Sequence, residues 1–140
     1  MKILVFDTET TGFINKKNPD LKAQPKIVQF AGILGEIQES GYKELERKNI
    51  LIHPEIPIPY DASQVHHIYD IDVQNEAPMQ EKIDDIMEFV NRADVLIGHN
   101  IEYDESMLQL ELRRYEKLHL YNPSQVICTM KSSTDFCAIQ

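Results

Sequence analysis

The order of strand-like and helix-like patterns constrains the fold of this chain more than any other feature of its sequence. Three strand-like runs come first: KILVFD (2–7), IVQFAGILGEI (27–37) and ELERKNILIH (44–53). Helical patterns (79–92 and 102–118) then alternate with short apolar strands (93–100 and 125–130). Consecutive strands favour an antiparallel meander, whereas strands separated by helices favour parallel pairing. The pattern therefore predicts an α/β domain with a mixed sheet covered by helices.

Two further patterns refine this prediction. KILVFD is apolar from Ile3 to Phe6, which predicts a central strand covered on both faces. PEIPIPYDAS (54–63) contains three prolines. Because proline cannot donate to a strand ladder, we expect an extended connection there rather than a central strand.

Size and composition narrow the possible functions. With 140 residues the chain is long enough for a real core, and we expect one domain over residues 1–140. The net charge of −9 argues against binding nucleic acid through a broad basic surface. The two cysteines have neither metal-ligand nor disulfide spacing, and no apolar run could span a bilayer. We therefore expect a cytoplasmic protein without a membrane partner.

VFDTETTG (5–12) places two carboxylates at the end of the first strand. Because strand side chains alternate, Asp7 and Glu9 lie on one face, roughly 7 Å apart. Like charges this close repel each other unless a cation joins them, and hard ions such as Mg²⁺ take oxygen ligands. Two such ions can stabilise the attacking and leaving oxygens in phosphodiester cleavage. The alternative is a strand that runs out into solvent, with a turn beginning at Asp7 and Glu9 exposed.

GHNIEYDES (98–106) supplies a third carboxylate. In the helical pattern that follows, one stripe consists of Asp104, Leu108, Leu112, Tyr115 and Leu118. Asp104 therefore lies in the first turn on the apolar face, pointing towards the sheet. A metal ion shared with Asp7 and Glu9 would give it a partner. The alternative is that Asp104 only caps the helix N-terminus.

Three segments, in this order, resemble the motifs of one enzyme family. FDTETTG (6–12) resembles the first motif of the DnaQ-like (DEDDh) 3′–5′ exonucleases, which include DNA polymerase III epsilon-subunit-like proteins of the ribonuclease H-like superfamily. PIPYDASQVHHI (57–68) resembles the segment where the family usually has Val-His-Gly-Ile, with His67 in place of the Gly. GHNIEYDESML (98–108) resembles the second motif, with Tyr103 where the family usually has Phe.

The resemblance implies a ribonuclease H-like fold and two-metal hydrolysis of phosphodiester bonds at nucleic-acid 3′ ends. It implies that Asp7, Glu9 and Asp104 are catalytic and hold Mg²⁺ or Mn²⁺. Six residues are implied to bind substrate: Thr8, Thr10, Thr11, Gly12, His66 and Asn100. The expected substrate is a single-stranded 3′ end, of DNA rather than RNA, and a DNA polymerase is a candidate partner in replication or repair.

The polar segment GFINKKNPDLKAQPK (12–26) follows the first motif and resembles a longer version of the family's connection there. It carries four lysines: Lys16, Lys17, Lys22 and Lys26. These side chains could contact backbone phosphates, although lysines in such a segment are more often only solvated.

The family's third motif, His-x-Ala-x-x-Asp, is missing. In the family it carries the general base and the fourth metal ligand. After Asp104 this chain contains only His119 and Asp135, whose spacing does not fit. We therefore expect a C-terminally truncated domain whose general base is not in this chain, and weak activity for this chain alone. A missing helix should also expose apolar sheet surface, which would favour self-association or a covering partner.

Two other functions remain open from the sequence. A non-catalytic nucleic-acid- or partner-binding module on the same fold would explain the missing third motif, but not the three retained carboxylates. A haloacid-dehalogenase-like phosphatase would use Asp7 as nucleophile and Glu9 as acid/base. The downstream lysine and paired acidic motif of that family are hard to place in this chain.

Overall fold

The structure, a computed structural model, describes residues 1–130. These residues form five strands: β1 (Lys2–Thr10), β2 (Ile27–Gln38), β3 (Gly41–Leu51), β4 (Val95–Gly98) and β5 (Gln125–Cys128). They form four α-helices: α1 (Tyr60–His66), α2 (Asp70–Val73), α3 (Met79–Asn91) and α4 (Ile101–Arg114). None of the helices in this described part is long and apolar enough to cross a membrane.

The strands form one mixed sheet in the order β3-β2-β1-β4-β5. Antiparallel pairing joins β3, β2 and β1, and parallel pairing joins β1, β4 and β5. The predicted meander with added parallel strands is therefore confirmed. The β1–β4 ladder ends at the pair Val5–Ile97. The last part of β1, with Asp7 and Glu9, consequently extends beyond its pairing with β4, at the carboxyl end of the strand, where α/β sheets commonly bind ligands.

Helices α3 and α4 pack on one face of the sheet, against Leu4 and Phe6 of β1. Phe30 of β2 stacks on Phe6 with ring centroids 5.6 Å apart, and meets Phe89 of α3 edge-on at 6.2 Å. Burial of each such side chain contributes about 1.5–3 kcal/mol. This packing fixes the start of α4 beside the end of β1.

The opposite face of β1 is open among the described residues. Val5 on that face is 45% exposed, and its cross-strand neighbours Ile33 and Ile97 are half-buried. The prediction that β1 is covered on both faces is therefore wrong for residues 1–130, because α3 and α4 pack on the same side. Our expectation that a missing helix exposes this surface, and self-association through it, stay predictions.

Helix α1 begins at Tyr60, inside the segment 54–63 where we expected an extended connection, and α2 lies just after that segment. Pro59 directly precedes α1, a position at which proline is compatible with helix initiation. The buried Ser63 hydroxyl donates to the Ile68 carbonyl at 2.7 Å. Between α1 and α2, His67 has φ 59°, the left-handed conformation that glycine adopts without strain. This geometry explains why the related motif usually has glycine at that position.

Helix α4 ends earlier than its pattern suggests. It stops at Arg114 instead of continuing to Leu118. Glu116 takes a positive φ of 57°, and the Lys117 N–H donates back to the Leu112 carbonyl at 2.8 Å. This is a helix-ending turn, which satisfies a carbonyl that would otherwise have no intrahelical partner.

Candidate active site

β1 presents Asp7 and Glu9 on its open face, as the alternation of side chains predicts. Asp7 is exposed and Glu9 is half-buried. Burial raises the pKa of Glu9 above its ordinary value, and the charge of Asp7 raises it further. The strand continues to Thr10, so the alternative of a turn beginning at Asp7 is wrong. The two carboxylates therefore form a repelling pair on a rigid strand.

Asp104 lies in the first turn of α4, points towards the sheet as predicted, and is 1% exposed. Its Oδ1 accepts hydrogen bonds from the Thr8 hydroxyl at 2.6 Å and the Thr8 N–H at 3.2 Å. Its Oδ2 is buried and has no hydrogen-bond partner among the described residues. The pKa of Asp104 is raised to about 6, mainly by burial and further by the charges of Asp7 and Glu9, against the lowering effect of the hydrogen bonds from Thr8.

Gly98 makes room for this carboxylate. A Cβ atom at position 98 would lie 2.8 Å from Ile101 Cδ1, 3.3 Å from the Phe6 carbonyl oxygen and 3.4 Å from Asp104 Oδ2. A larger residue would therefore require the Ile101 side chain to move and would crowd the Phe6 carbonyl. The glycine of the GHN segment thus leaves room for Ile101 and Asp104 at the start of α4.

The three carboxylates fit a divalent cation by their chemistry. They offer only oxygen ligands, which Mg²⁺ and Mn²⁺ accept, and Asp104 Oδ2 is an orphaned buried acceptor. Burial and mutual repulsion raise the pKa of Glu9 and of Asp104, and a cation would offset both effects. Within residues 1–130, however, no group of three His, Cys, Asp or Glu side chains is arranged so that it could hold a metal ion. The fold brings the candidate ligands to the same region without arranging their oxygens around one ion position.

A pocket of about 510 Å³ opens beside Glu9. All six residues predicted to bind substrate line it: Thr8, Thr10, Thr11, Gly12, His66 and Asn100. Asp7 and Asp104 are not part of its lining. The sequence did not identify six further lining residues: Phe13, Pro59, Asp61, Ala62, Val65 and Tyr103. Phe13 follows Gly12 and Val65 precedes His66, so their position beside predicted residues was the sequence signal that could have identified them.

Tyr103 ties the turn at residues 10–12 to α4. Its hydroxyl donates to the Gly12 carbonyl at 2.6 Å and makes a short hydrogen bond with the Thr10 hydroxyl. The Gly12 N–H lies 3.3 Å from Thr10 Oγ1, which completes a ring of hydrogen bonds. Such chains of hydrogen bonds reinforce one another in a partly buried site. Phenylalanine, usual at this position in related sequences, could not complete the ring.

His66 and Thr11 hold the same turn. The Ile68 N–H donates to His66 Nδ1 at 3.0 Å, so the proton of the neutral ring is on Nε2, which donates to the Thr10 carbonyl at 3.0 Å. The Lys26 N–H donates to Thr11 Oγ1 at 3.0 Å, and the Thr11 N–H donates to the Lys26 carbonyl at 2.9 Å. The pocket wall is therefore preorganised by contacts from three directions.

Comparisons with known proteins agree with this geometry. The RNase_T family, described as exonuclease, matches residues 4–137. The chain is 32% identical over 113 residues to DNA polymerase III subunit epsilon of Treponema pallidum (strain Nichols), covering 80% of this chain and 46% of that protein. It is 30% identical over 125 residues to the subunit epsilon of Haemophilus influenzae, covering 89% and 45%. The chain thus spans less than half the length of these two curated relatives.

A solved structure supports the fold. The nuclease domain of 3′hExo, a DEDDh family member solved with bound rAMP, superposes with a TM-score of 0.69 at 13% identity, covering 99% of this chain and 72% of that chain. This likeness confirms the expected ribonuclease H-like architecture. The family match and the epsilon-subunit relatives confirm the resemblance drawn from the motifs. The chain therefore belongs to the RNase_T exonuclease family, as a DnaQ-like member.

Proposed function

We propose that this chain forms the core of a metal-dependent exonuclease domain that removes nucleotides from single-stranded 3′ ends. The observation that carries the proposal is the buried, unpartnered Asp104 Oδ2 beside Asp7 and Glu9. An unsatisfied buried polar group costs about 1–3 kcal/mol, and more if it is charged. A purely structural role gives no reason for this cost, whereas a role as cation ligand does.

In this proposal Asp7, Glu9 and Asp104 hold Mg²⁺ or Mn²⁺. Once bound, the ions supply stabilisation of the negative charge on the attacking and leaving oxygens. Thr8 acts as a positioning residue, because its hydroxyl and N–H hold Asp104 Oδ1 and leave Oδ2 for the cation. The turn at residues 10–12 receives the terminal nucleotide in the adjacent pocket, and its fixed geometry limits the entropy lost on binding.

No residue of this sequence matches the family's general base. The sequence after Asp104 contains no His-x-Ala-x-x-Asp, and Asp135 lies outside the described residues. His119 is exposed in the short turn at Leu118–Leu120. We therefore propose weak cleavage by these 140 residues and full cleavage by a protein that also supplies the third motif.

Digestion of a 3′-labelled single-stranded oligodeoxynucleotide with Mg²⁺ or Mn²⁺ tests the proposed function. The proteins compared are this chain, the reading frame extended past Gln140, and its Asp7→Asn variant. Asp85→Asn, at an exposed carboxylate of α3, is the matched control. We expect shortening from the 3′ end by the extended protein and by the control, and almost none by Asp7→Asn. Equal cleavage by both variants would contradict the proposal.

A non-catalytic binding module on the same fold is the second candidate, favoured by the missing third motif. Single-strand binding without turnover, persisting in the extended protein, would identify it. The phosphatase alternative loses its support because the chain belongs to an exonuclease family. An aspartyl-phosphate formed on Asp7 would be needed to restore it.

The relatives named as DNA polymerase III epsilon subunits support two finer proposals. The substrate is DNA rather than RNA, and the partner is a DNA polymerase; a cytoplasmic location also stays a prediction. Matched DNA and RNA oligonucleotides test the first, with faster cleavage of DNA expected. Co-purification with the polymerase of the same cell tests the second, with Asp7→Asn expected to bind as well as the unchanged protein.

A further inference from the structure

The segment joining β1 to β2, residues 13–26 and here termed the lysine loop, differs in charge from the rest of the chain. It contains Lys16, Lys17, Lys22 and Lys26 against one acidic residue, Asp20, in a chain of net charge −9. Lys16, Lys17 and Lys22 are exposed. The loop is therefore a local positive feature on an acidic protein.

The lysine loop is fastened to α4 by a buried ion pair. The Arg114 guanidinium donates to three carbonyls of the loop, those of Leu21 (3.2 Å), Gln24 (3.0 Å) and Pro25 (2.8 Å). It also pairs with Glu111 at 2.7 Å, and Glu111 is 1% exposed. The ion pair therefore holds the loop backbone against α4, at a cost in desolvation free energy.

The interior of the loop is organised as well. The buried Gln24 side chain donates to the carbonyls of Asn15 (3.0 Å) and Asn18 (2.6 Å) and accepts from the Asn15 N–H at 2.8 Å. Asn15 Oδ1 in turn accepts from the N–H groups of Lys17 and Asn18. The backbone that carries the exposed ammonium groups is therefore fixed, while the lysine tips stay in solvent.

The loop begins at the rim of the nucleotide pocket. Phe13, its first residue, lines that pocket and is nevertheless 92% exposed. An exposed aromatic ring followed by lysines on a fixed backbone is a combination with which proteins hold single strands, by stacking on bases and by pairing with phosphates. A strand that leaves the pocket over this rim would bring its next nucleotides to the lysine loop.

We propose that the lysine loop binds the nucleotides 5′ of the terminal one, with Phe13 stacking on a base and Lys16, Lys17 and Lys22 contacting successive phosphates. This inference rests on the proposed function, since it takes the pocket as the site of the terminal nucleotide. The loop then sets the affinity for a strand, and the carboxylates act on its end.

Binding of a fluorescein-labelled dT12 strand in EDTA, measured by anisotropy over a series of salt concentrations, tests the proposal without turnover. We compare Lys16→Glu/Lys17→Glu with Lys43→Glu/Arg47→Glu, which makes the same charge change at exposed residues of β3. The loop variant should bind about tenfold more weakly, with the slope of log K against log salt shallower by about 0.7 for each phosphate that the loop no longer neutralises. Equal losses in both variants would overturn the inference.

Phe13→Ala gives a second, charge-neutral test. It should weaken dT12 binding roughly fivefold or more while leaving the salt dependence unchanged, because stacking releases no counterions. Val65→Ala, which removes another exposed apolar side chain of the same pocket, is the comparison. If Phe13→Ala binds like the unchanged protein, the stacking role is wrong.

The p-nitrophenyl ester of thymidine 5′-monophosphate separates this inference from the proposed function, because it has no upstream nucleotides. In the extended protein, the loop variant should hydrolyse the ester at an unchanged rate and digest dT12 with a raised KM. Hydrolysis of the ester with unchanged dT12 kinetics would overturn the inference and leave the function standing. If the extended protein hydrolyses neither substrate while the loop variant still loses dT12 binding, the inference stands and the proposed function is overturned.

Discussion

Helix α4 buries two carboxylates, Asp104 in its first turn and Glu111 two turns later. Each is 1% exposed. Both oxygens of Glu111 have partners, since Oε1 accepts from Arg114 at 2.7 Å and Oε2 from the Ile27 N–H at 2.9 Å. Asp104 receives both of its bonds on Oδ1, and its Oδ2 has none among the described residues. Both carboxylates are equally buried but unequally paired, which fits a structural role for Glu111 and the proposed role of Asp104 in chemistry.

The largest expected effect is on turnover. Asp104→Asn in the extended protein should lower kcat by about a thousandfold or more, equivalent to about 4 kcal/mol, because one cation ligand is lost. Glu111→Gln should change kcat by less than about threefold once the folded fraction is accounted for. The measurement is digestion of a labelled oligonucleotide at saturating substrate. Equal losses in the two variants would remove the distinction between the carboxylates.

The next effect is on the free energy of unfolding, where the loss of Glu111 should matter more than the loss of Asp104. Glu111→Ala should lower the free energy of unfolding by about 3–5 kcal/mol, because Arg114 would keep a buried charge without its partner. Denaturant titration measures this loss, with Glu81→Ala at an exposed residue of α3 as control. A loss below about 1 kcal/mol would show that Arg114 finds enough compensation in the loop carbonyls.

Asp104 should also make stability depend on pH in the absence of metal. Its pKa is about 6 in the folded chain against 3.8 for the ordinary side chain. Because the folded state binds this proton more tightly, stability is highest below pH 3.8 for this group and falls as pH rises towards 6, by up to about 3 kcal/mol. In EDTA, the stability of Asp104→Asn relative to the unchanged protein should increase across that window. A difference independent of pH would contradict the assignment.

Metal addition should act through Asp104 and not through Glu111. Millimolar Mn²⁺ should raise the unfolding midpoint of the chain, by mass action on the folded state, by the equivalent of about 1–3 kcal/mol. Asp104→Asn should lose this rise, whereas Glu111→Gln should keep it. Thermal unfolding with and without Mn²⁺ measures the effect, and an equal rise in all three proteins would place the cation elsewhere.

The smallest effect tests whether Tyr103, next to Asp104 in the first turn of α4, also has a functional role. Tyr103→Phe should raise KM about three- to tenfold, since it removes roughly 1 kcal/mol of hydrogen bonding from the pocket turn. It should leave kcat nearly unchanged because its hydroxyl bonds to Thr10 and Gly12 rather than to a carboxylate. Tyr115→Phe, just past the end of the same helix, is the control. A lowered kcat at constant KM would instead connect Tyr103 to the chemical step.

The sequence alone predicts the parts of the molecule that periodicity encodes. The strand and helix patterns predict β1 to β5, α3 and α4, and the stripe of α4 places Asp104 on its inward face. The alternation of β1 places Asp7 and Glu9 together. These predictions succeed because each depends on residues close together in the chain.

The remaining features depend on contacts between distant segments. Arg114 donates hydrogen bonds to Leu21, Gln24 and Pro25, which are 93, 90 and 89 residues away in the sequence. No local pattern shows that such an arginine is buried rather than solvated. Helix α1 escapes prediction for a different reason, since proline can start a helix as well as break a strand. The open face of β1 depends on where both helices pack, which periodicity does not determine.

The bonds from α4 to the sheet have a consequence for amide hydrogen exchange. The N–H of Thr8 is held by Asp104 and the N–H of Ile27 by Glu111, across 96 and 84 residues. Neither proton can exchange with deuterium until the corresponding end of α4 leaves the sheet. Equal protection at the two amides would mean that the helix undocks as one unit. Faster exchange at Thr8 would mean that the first turn opens by itself, and its opening free energy would then limit how readily Asp104 can turn to meet an incoming ion.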